Sequence, residues 1–202
     1  MNSKVPDSTP SPAREGFVHG LKAEFRKALL SKPGQFFIRH SGKIAGISFG
    51  IMNASFLLKD FIQSARPPNH FEQIAGAVML LQNGMMALVD RHPEMKKAAG
   101  IALISGAVLL GLGGMHTAGQ TSQLVASGLL MGKGAALMVN KRSLPFMTAT
   151  AGGDSIGKLF LMNAAVLNHD PGKFLAAIMG VIGNLGTIGC TREAKAHLVP
   201  TT

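Results

Sequence analysis

Asn53, Gln82, Asn83, Asn163 and Asn184, together with Lys133, stand in the middle of long apolar stretches of this chain. An amide surrounded by hydrocarbon is costly to leave unpaired, so each should turn toward another amide, a backbone group or a bound solute. Several such amides, repeated from stretch to stretch, could form one polar constriction that hydrogen-bonds a small neutral or zwitterionic solute. The plainer alternative is interhelical bonding worth about 0.6 kcal/mol per bond. Lys133 is the sharper signal. A lysine near the centre of a membrane span costs about 2.5 to 3.5 kcal/mol, and no acidic residue is expected inside a span to pair with it. It must reach water, a cluster of carbonyls or an anion, or else snorkel to the membrane surface. Lys158 lies nearer a segment end and is expected to snorkel; Asp60, Asp90 and Asp170 close their segments and read as solvated helix-end residues.

Enzymatic chemistry has no comparable signal. The chain lacks a phosphate loop followed by Lys-Ser/Thr, a nucleophile elbow and zincin spacing. Its seven histidines are scattered through turns and segment ends without a helical metal-ligand pair. No catalytic residue, metal site or cofactor is expected. The single cysteine, Cys190, excludes an internal disulfide.

The elements that must position the amides and Lys133 are six apolar segments, 44–62, 74–89, 98–115, 124–139, 156–167 and 174–190. Of the 202 residues 47% are hydrophobic and 15% charged, and the apolar residues come in blocks rather than as one face of each helix. Blocks of this kind predict an all-α, multi-pass transmembrane helix bundle of about six spans. At 1.5 Å per residue, flanking residues must complete a hydrocarbon thickness of about 30 Å, which implies a thin or tilted bundle. Turn-forming Pro and Gly residues, such as Arg91-His92-Pro93-Glu94 and His169-Asp170-Pro171-Gly172, separate the segments. The fifth is the weakest, because Thr148 to Gly153 is rich in Gly and Thr, and a re-entrant course there would move the carboxyl terminus to the other side.

Residues 43–60 and 73–90 align without a gap at Ile44/Ile74, Ala45/Ala75, Gly46/Gly76, Asn53/Asn83, Leu58/Leu88 and Asp60/Asp90. The unit recurs more faintly at 123–140, where Gln123 falls opposite Gln73 and Lys133 opposite Asn83, and again around Asn163. Repeated helical units are therefore expected. Gly46-xxx-Gly50, Gly128-xxx-Gly132 and the Gly180, Gly183, Gly186 series supply small faces for close helix packing.

The formal net charge of +10 would suit nucleic acid, but with neither Trp nor Tyr the basic residues lack stacking partners, and they bracket the apolar blocks instead. Most lie on the side shared by the two termini: the segment before residue 44, Arg91, Lys96, Lys97, Lys141, Arg142, Arg192 and Lys195. The opposite side carries Lys59, Arg66 and Lys173. The positive-inside rule then places both termini in the cytoplasm, in a bacterial inner membrane. Residues 1–15 read as a disordered tail without a signal peptide. Residues 16–42 form a basic amphipathic segment in which Phe17, Leu21, Phe25 and Leu29 recur every four residues, ended by Pro33-Gly34. It is expected to lie on the membrane surface. Residues 43–191 form the bundle and 192–202 a cytoplasmic tail.

The function these features predict is carriage of a small polar solute, with Asn53, Gln82, Asn83, Lys133, Asn163 and Asn184 as binding residues and the lipid bilayer as surroundings. Length and span number are similar to those of transporters built from two three-helix units, without the Pro-Gln signature of one such group. The alternative is a non-catalytic membrane subunit, anchor or assembly factor that binds a second copy or a membrane-complex partner. No nucleic-acid partner is expected.

Overall fold

A computed structural model of the chain describes residues 30–62, 68–139 and 144–191, with isolated positions at 20, 24, 27, 28, 195 and 196. The tail 1–15 and most of the basic amphipathic segment lie outside the described residues, as does most of 192–202. Six helices follow one another: α1 Lys32–Ile62, α2 His70–Leu88, α3 Met95–Gly114, α4 Gln120–Met138, α5 Leu144–Leu167 and α6 Pro171–Gly189. Each covers one of the six apolar segments to within one residue at its end. Two of them, α3 and α6, are long and apolar enough to cross a membrane.

A bend at Ser31 separates α1 from the residues before it, and Pro33-Gly34 opens α1. The Ser31 hydroxyl accepts the Gly34 amide at 3.2 Å, and Pro33 sits in the first turn, where its missing N–H would have had no intrahelical partner. The fifth helix is continuous from Leu144, through the Gly- and Thr-rich stretch. Hydroxyls there are satisfied by their own helix: Thr150 donates to the Phe146 and Met147 carbonyls, Ser155 to that of Ala151. An uninterrupted α5 keeps the number of helices even, so α1 begins and α6 ends at the same end of the bundle.

Each helix packs against its neighbours in sequence, α6 returns to pack on α1, and no other pair of helices brings backbones together. The result is a closed ring. Consecutive helices joined by short turns must run antiparallel, and the closing pair does too, since Gly180, Gly186 and Gly189 of α6 lie against Met52, Ala45 and Ser41 of α1 in that order. The glycine series on α6 makes the closure possible: a methyl group on Gly186 would come within 2.8 Å of the Ala45 backbone nitrogen. Gly76 on α2 is as close to the Asn53 carbonyl of α1. By contrast Gly46, Gly50, Gly128 and Gly132 have nothing near them, so neither GxxxG pair serves helix packing within the chain.

The ring is three hairpins, α1–α2, α3–α4 and α5–α6. Buried positions recur from hairpin to hairpin. On the first helix of each they are Met52, Leu103 and Asp154; Phe56, Ala107 and Lys158; and Lys59, Leu110 and Leu161. On the second helix they are Ala75, Ala126 and Ala176, and Glu72, Gln123 and Lys173. The last three hydrogen-bond to one another although 51 and 50 residues separate them, as three equivalent side chains aimed at one axis must. The unit seen in the sequence at 43–60 and 73–90 does not share this equivalence, since Gly46 is exposed and Gly76 buried.

Polarity is inverted relative to a water-soluble bundle. Every helix exposes large apolar side chains, among them Ile47, Leu81, Ile101, Leu124, Leu159 and Leu185. Of the charged residues within helices, Lys59, Glu72, Asp154, Lys158 and Lys173 are buried and the Lys133 side chain is 12% exposed, while Arg39 and Lys43 in the first half of α1 are exposed. Met52, Phe56, Met79, Leu103, Leu130 and Leu161 fill the middle of the ring.

Candidate functional site

Two polar clusters occupy the interior, separated by ten or eleven residues on α2, α4 and α6, which is about 15 Å of helix. The first lies where α1, α3 and α5 end. Lys173 of α6 donates to Glu72 of α2 at 2.7 Å and to the Gln123 amide oxygen of α4 at 2.8 Å. Gln123 donates to Glu72 at 2.6 Å and to the Leu110 carbonyl of α3 at 2.7 Å. Lys59 of α1 pairs with Glu72 and, at 3.1 Å, with Asp170. Helix starts hold these groups in place. The Asn69 side chain caps α2 by accepting the Glu72 amide, and Asp170 caps α6 by accepting the Lys173 amide at 2.8 Å. Each capping residue thus fixes a charged side chain one turn further on. Two ammonium groups face two carboxylates, so formal charges cancel.

Three expectations are corrected here. Asp170 is not a solvated helix end but 5% exposed and ion-paired. Lys59 and Lys173 are not surface charges of the opposite side, because both are buried in this cluster. A buried charge survives only with a partner, and the ring brings partners from helices far apart in sequence.

The second cluster surrounds Lys133. Its ammonium donates to Asp154 of α5 at 2.9 Å and to the Asn184 amide oxygen of α6 at 2.6 Å, and lies 4.2 Å from the centre of the Phe49 ring of α1. The other Asp154 oxygen is 3.1 Å from Lys158 one turn on, near enough for an ion pair though not aligned for a hydrogen bond. Asn184 donates in turn to Ser155 at 3.1 Å. The α6 glycines make room: methyl groups on Gly180 and Gly183 would strike the Lys158 stem and the Phe49 ring. Lys133 therefore has the acidic partner that the sequence reading denied it. Asp154 was missed because it precedes the uninterrupted apolar run of its segment, and only a helix that starts at Leu144 carries it inside. Lys158 does not snorkel; it is 3% exposed.

The remaining predicted residues divide. Gln82, buried, holds the place on α2 that Lys133 holds on α4 and Gly183 on α6. Asn53 and Asn83 hold the places on the first hairpin that Ser155 and Asn184 hold on the third. Asn53 is 1% exposed, and neither atom of its amide has a hydrogen-bond partner; the Asn83 amide nitrogen is likewise buried without one. Such groups cost about 1 to 3 kcal/mol each when left unpaired. Asn163 does not join them. It is exposed on the outside of the ring and donates to Ser122 at 2.8 Å.

Glu72, Gln123 and Lys173 escaped the sequence reading by a register slip of one residue, since the repeat had set Gln123 opposite Gln73, not Glu72. Burial at equal spacing is the signal that finds them. Among the described residues no three of His, Cys, Asp and Glu gather to hold a metal ion. Comparisons with protein-family models, with curated proteins and with solved structures found no match to this chain.

Proposed function

We propose that the ring is a six-span integral membrane bundle that carries a small polar solute through its interior. The observation behind this reading is the placement of polarity: large apolar side chains are exposed on all six helices, while Lys59, Glu72, Lys133, Asp154, Lys158 and Lys173 and most of the mid-helix amides turn inward, and the exposed Arg39 and Lys43 lie toward the start of α1. A bundle in water would expose those charges and bury the Leu and Ile residues instead. Backbone hydrogen bonds are satisfied within each helix, as lipid requires. Phe36, Phe71 and Phe174 stand exposed near the helix ends, where aromatic residues meet the interface. With Lys59 and Lys173 withdrawn into the interior, the exposed lysines and arginines among the described residues, Lys32, Arg39, Lys43, Arg91 and Lys97, lie toward the end shared by α1's start and α6's finish, which in this reading faces the cytoplasm of a bacterial inner membrane.

Carriage is supported by the difference between the two clusters. The Glu72 cluster is closed upon itself, each charge paired. At positions equivalent to Ser155 and Asn184 of the Lys133 cluster, both atoms of the Asn53 amide and the Asn83 amide nitrogen are unpartnered and could serve a solute. Carbonate washing should leave the chain in the membrane pellet, and proteoliposomes should take up labelled small solutes, tested with glycine, urea and acetate. Lys133→Met and Asn53→Leu should each abolish that uptake while the protein stays folded in the bilayer. Release of the chain by carbonate would overturn the membrane reading, absence of uptake by the unaltered chain would overturn carriage, and unchanged uptake in both variants would overturn a path through Lys133 and Asn53.

One observation favours a second reading, a membrane subunit. The Gly46/Gly50 and Gly128/Gly132 faces are open on the outside of α1 and α4, which suits close approach of another membrane helix. Extraction in mild detergent that brings out a stoichiometric partner would favour it.

A further inference from the structure

We infer that the Lys133 cluster binds a small monoanion, a carboxylate or an inorganic anion, and that this anion completes the charge of the site. The inference deepens the carrier reading and rests on it. Its basis is a charge count inside the ring. Lys133 and Lys158 share the two oxygens of one carboxylate, Asp154, so the cluster holds one positive charge in excess. No other acidic side chain among the described residues is paired with either lysine. The same interior shows how this protein balances charge where no ligand is needed: about 15 Å away, Lys59 and Lys173 meet Glu72 and Asp170, two against two. An unbalanced ammonium in a buried site is costly, whereas one with an anion beside it is not.

Free hydrogen-bonding groups stand at the same place. Asn53, 1% exposed and with both amide atoms unpartnered, occupies on α1 the position that Ser155 occupies on α5, and Ser155 is tied through Asn184 to Lys133. It also lies one turn along α1 from Phe49, whose ring meets the Lys133 ammonium. The Asn83 amide nitrogen is a further unused donor at the position equivalent to Asn184. Two ammonium groups and amide donors match an anion's acceptor oxygens or a halide. The basic end is the nearer one to Lys133 along α4. Five residues, about 8 Å of helix, separate Lys133 from the end of α4, and the lysines and arginines gathered at that end raise the local concentration of anions.

The test is thermal unfolding of the full chain in neutral detergent, with sodium gluconate replaced stepwise, at constant sodium, by sodium acetate or sodium chloride. Acetamide serves as the uncharged match for acetate. The melting temperature should rise saturably by a few degrees with acetate or chloride and stay fixed with acetamide. Lys133→Met and Lys158→Met each leave one lysine facing Asp154, a balanced pair, so both variants should fold and lose the rise. Asp154→Asn enlarges the excess and should show a larger rise than the unaltered chain. Melting indifferent to both anions, or a rise kept in both lysine variants, overturns the site. Flux in proteoliposomes separates the two claims. Anion-dependent melting without flux of acetate, chloride, glycine or urea keeps the site and overturns carriage; glycine or urea flux without anion-dependent melting keeps carriage and overturns the site.

Discussion

Glu72 and Lys173 pair at 2.7 Å although they belong to α2 and α6, helices whose backbones do not touch. Their meeting across the ring joins two helices that packing alone leaves apart. Removing one partner strands the other in an apolar interior, so Glu72→Gln should destabilise the protein by about 3 to 5 kcal/mol. The double variant Glu72→Gln/Lys173→Met should recover part of that loss. Denaturant melts of the two proteins in the same detergent check both statements.

Charge balance sets the order of three variants around Lys133. Asp154→Asn leaves two buried ammonium groups without a carboxylate and should be the least stable of the set in anion-poor buffer. Lys133→Met and Lys158→Met should lie close to the unaltered protein. Comparison of melting midpoints in sodium gluconate decides the order, and equal loss in all three would contradict the ion-pair geometry.

The glycines of α6 and those of the two GxxxG pairs should respond oppositely. At Gly186 a methyl group meets the α1 backbone, and Gly186→Ala should cost about 1 to 3 kcal/mol. Open space surrounds Gly46 and Gly128, so alanine there should be neutral or stabilise by up to about 1 kcal/mol through helix propensity. Thermal melts of the monomeric protein measure both.

Ring closure can be tested covalently. The position a Cβ would take on Gly42 is 3.7 Å from the Cys190 sulfur, so Gly42→Cys should form a disulfide that locks the start of α1 to the end of α6. A shift in mobility without reductant, lost on Cys190→Ser, is the expected result. Gly50→Cys, farther along α1 with nothing near it, should not crosslink to Cys190.

The sequence by itself determined the six helices and their order. Apolar blocks and proline and glycine breaks are local signals, and each helix forms around the block that announces it. It also marked Lys133, Asn184, Gln82, Asn53 and Asn83 as inward groups, because a polar side chain in such a block has nowhere else to go. Only the tertiary structure decided their partners. Asp154 reaches Lys133 because α5 extends back to Leu144, and Glu72 gathers Lys59, Gln123 and Lys173 because three hairpins close into a ring. Asn163, on a similar apolar block, faces outward because the rotation of α5 that buries Asp154, Lys158 and Leu161 turns it away from the axis. Charge pairing across such distances in sequence depends on which helix faces come together, and no local pattern records that.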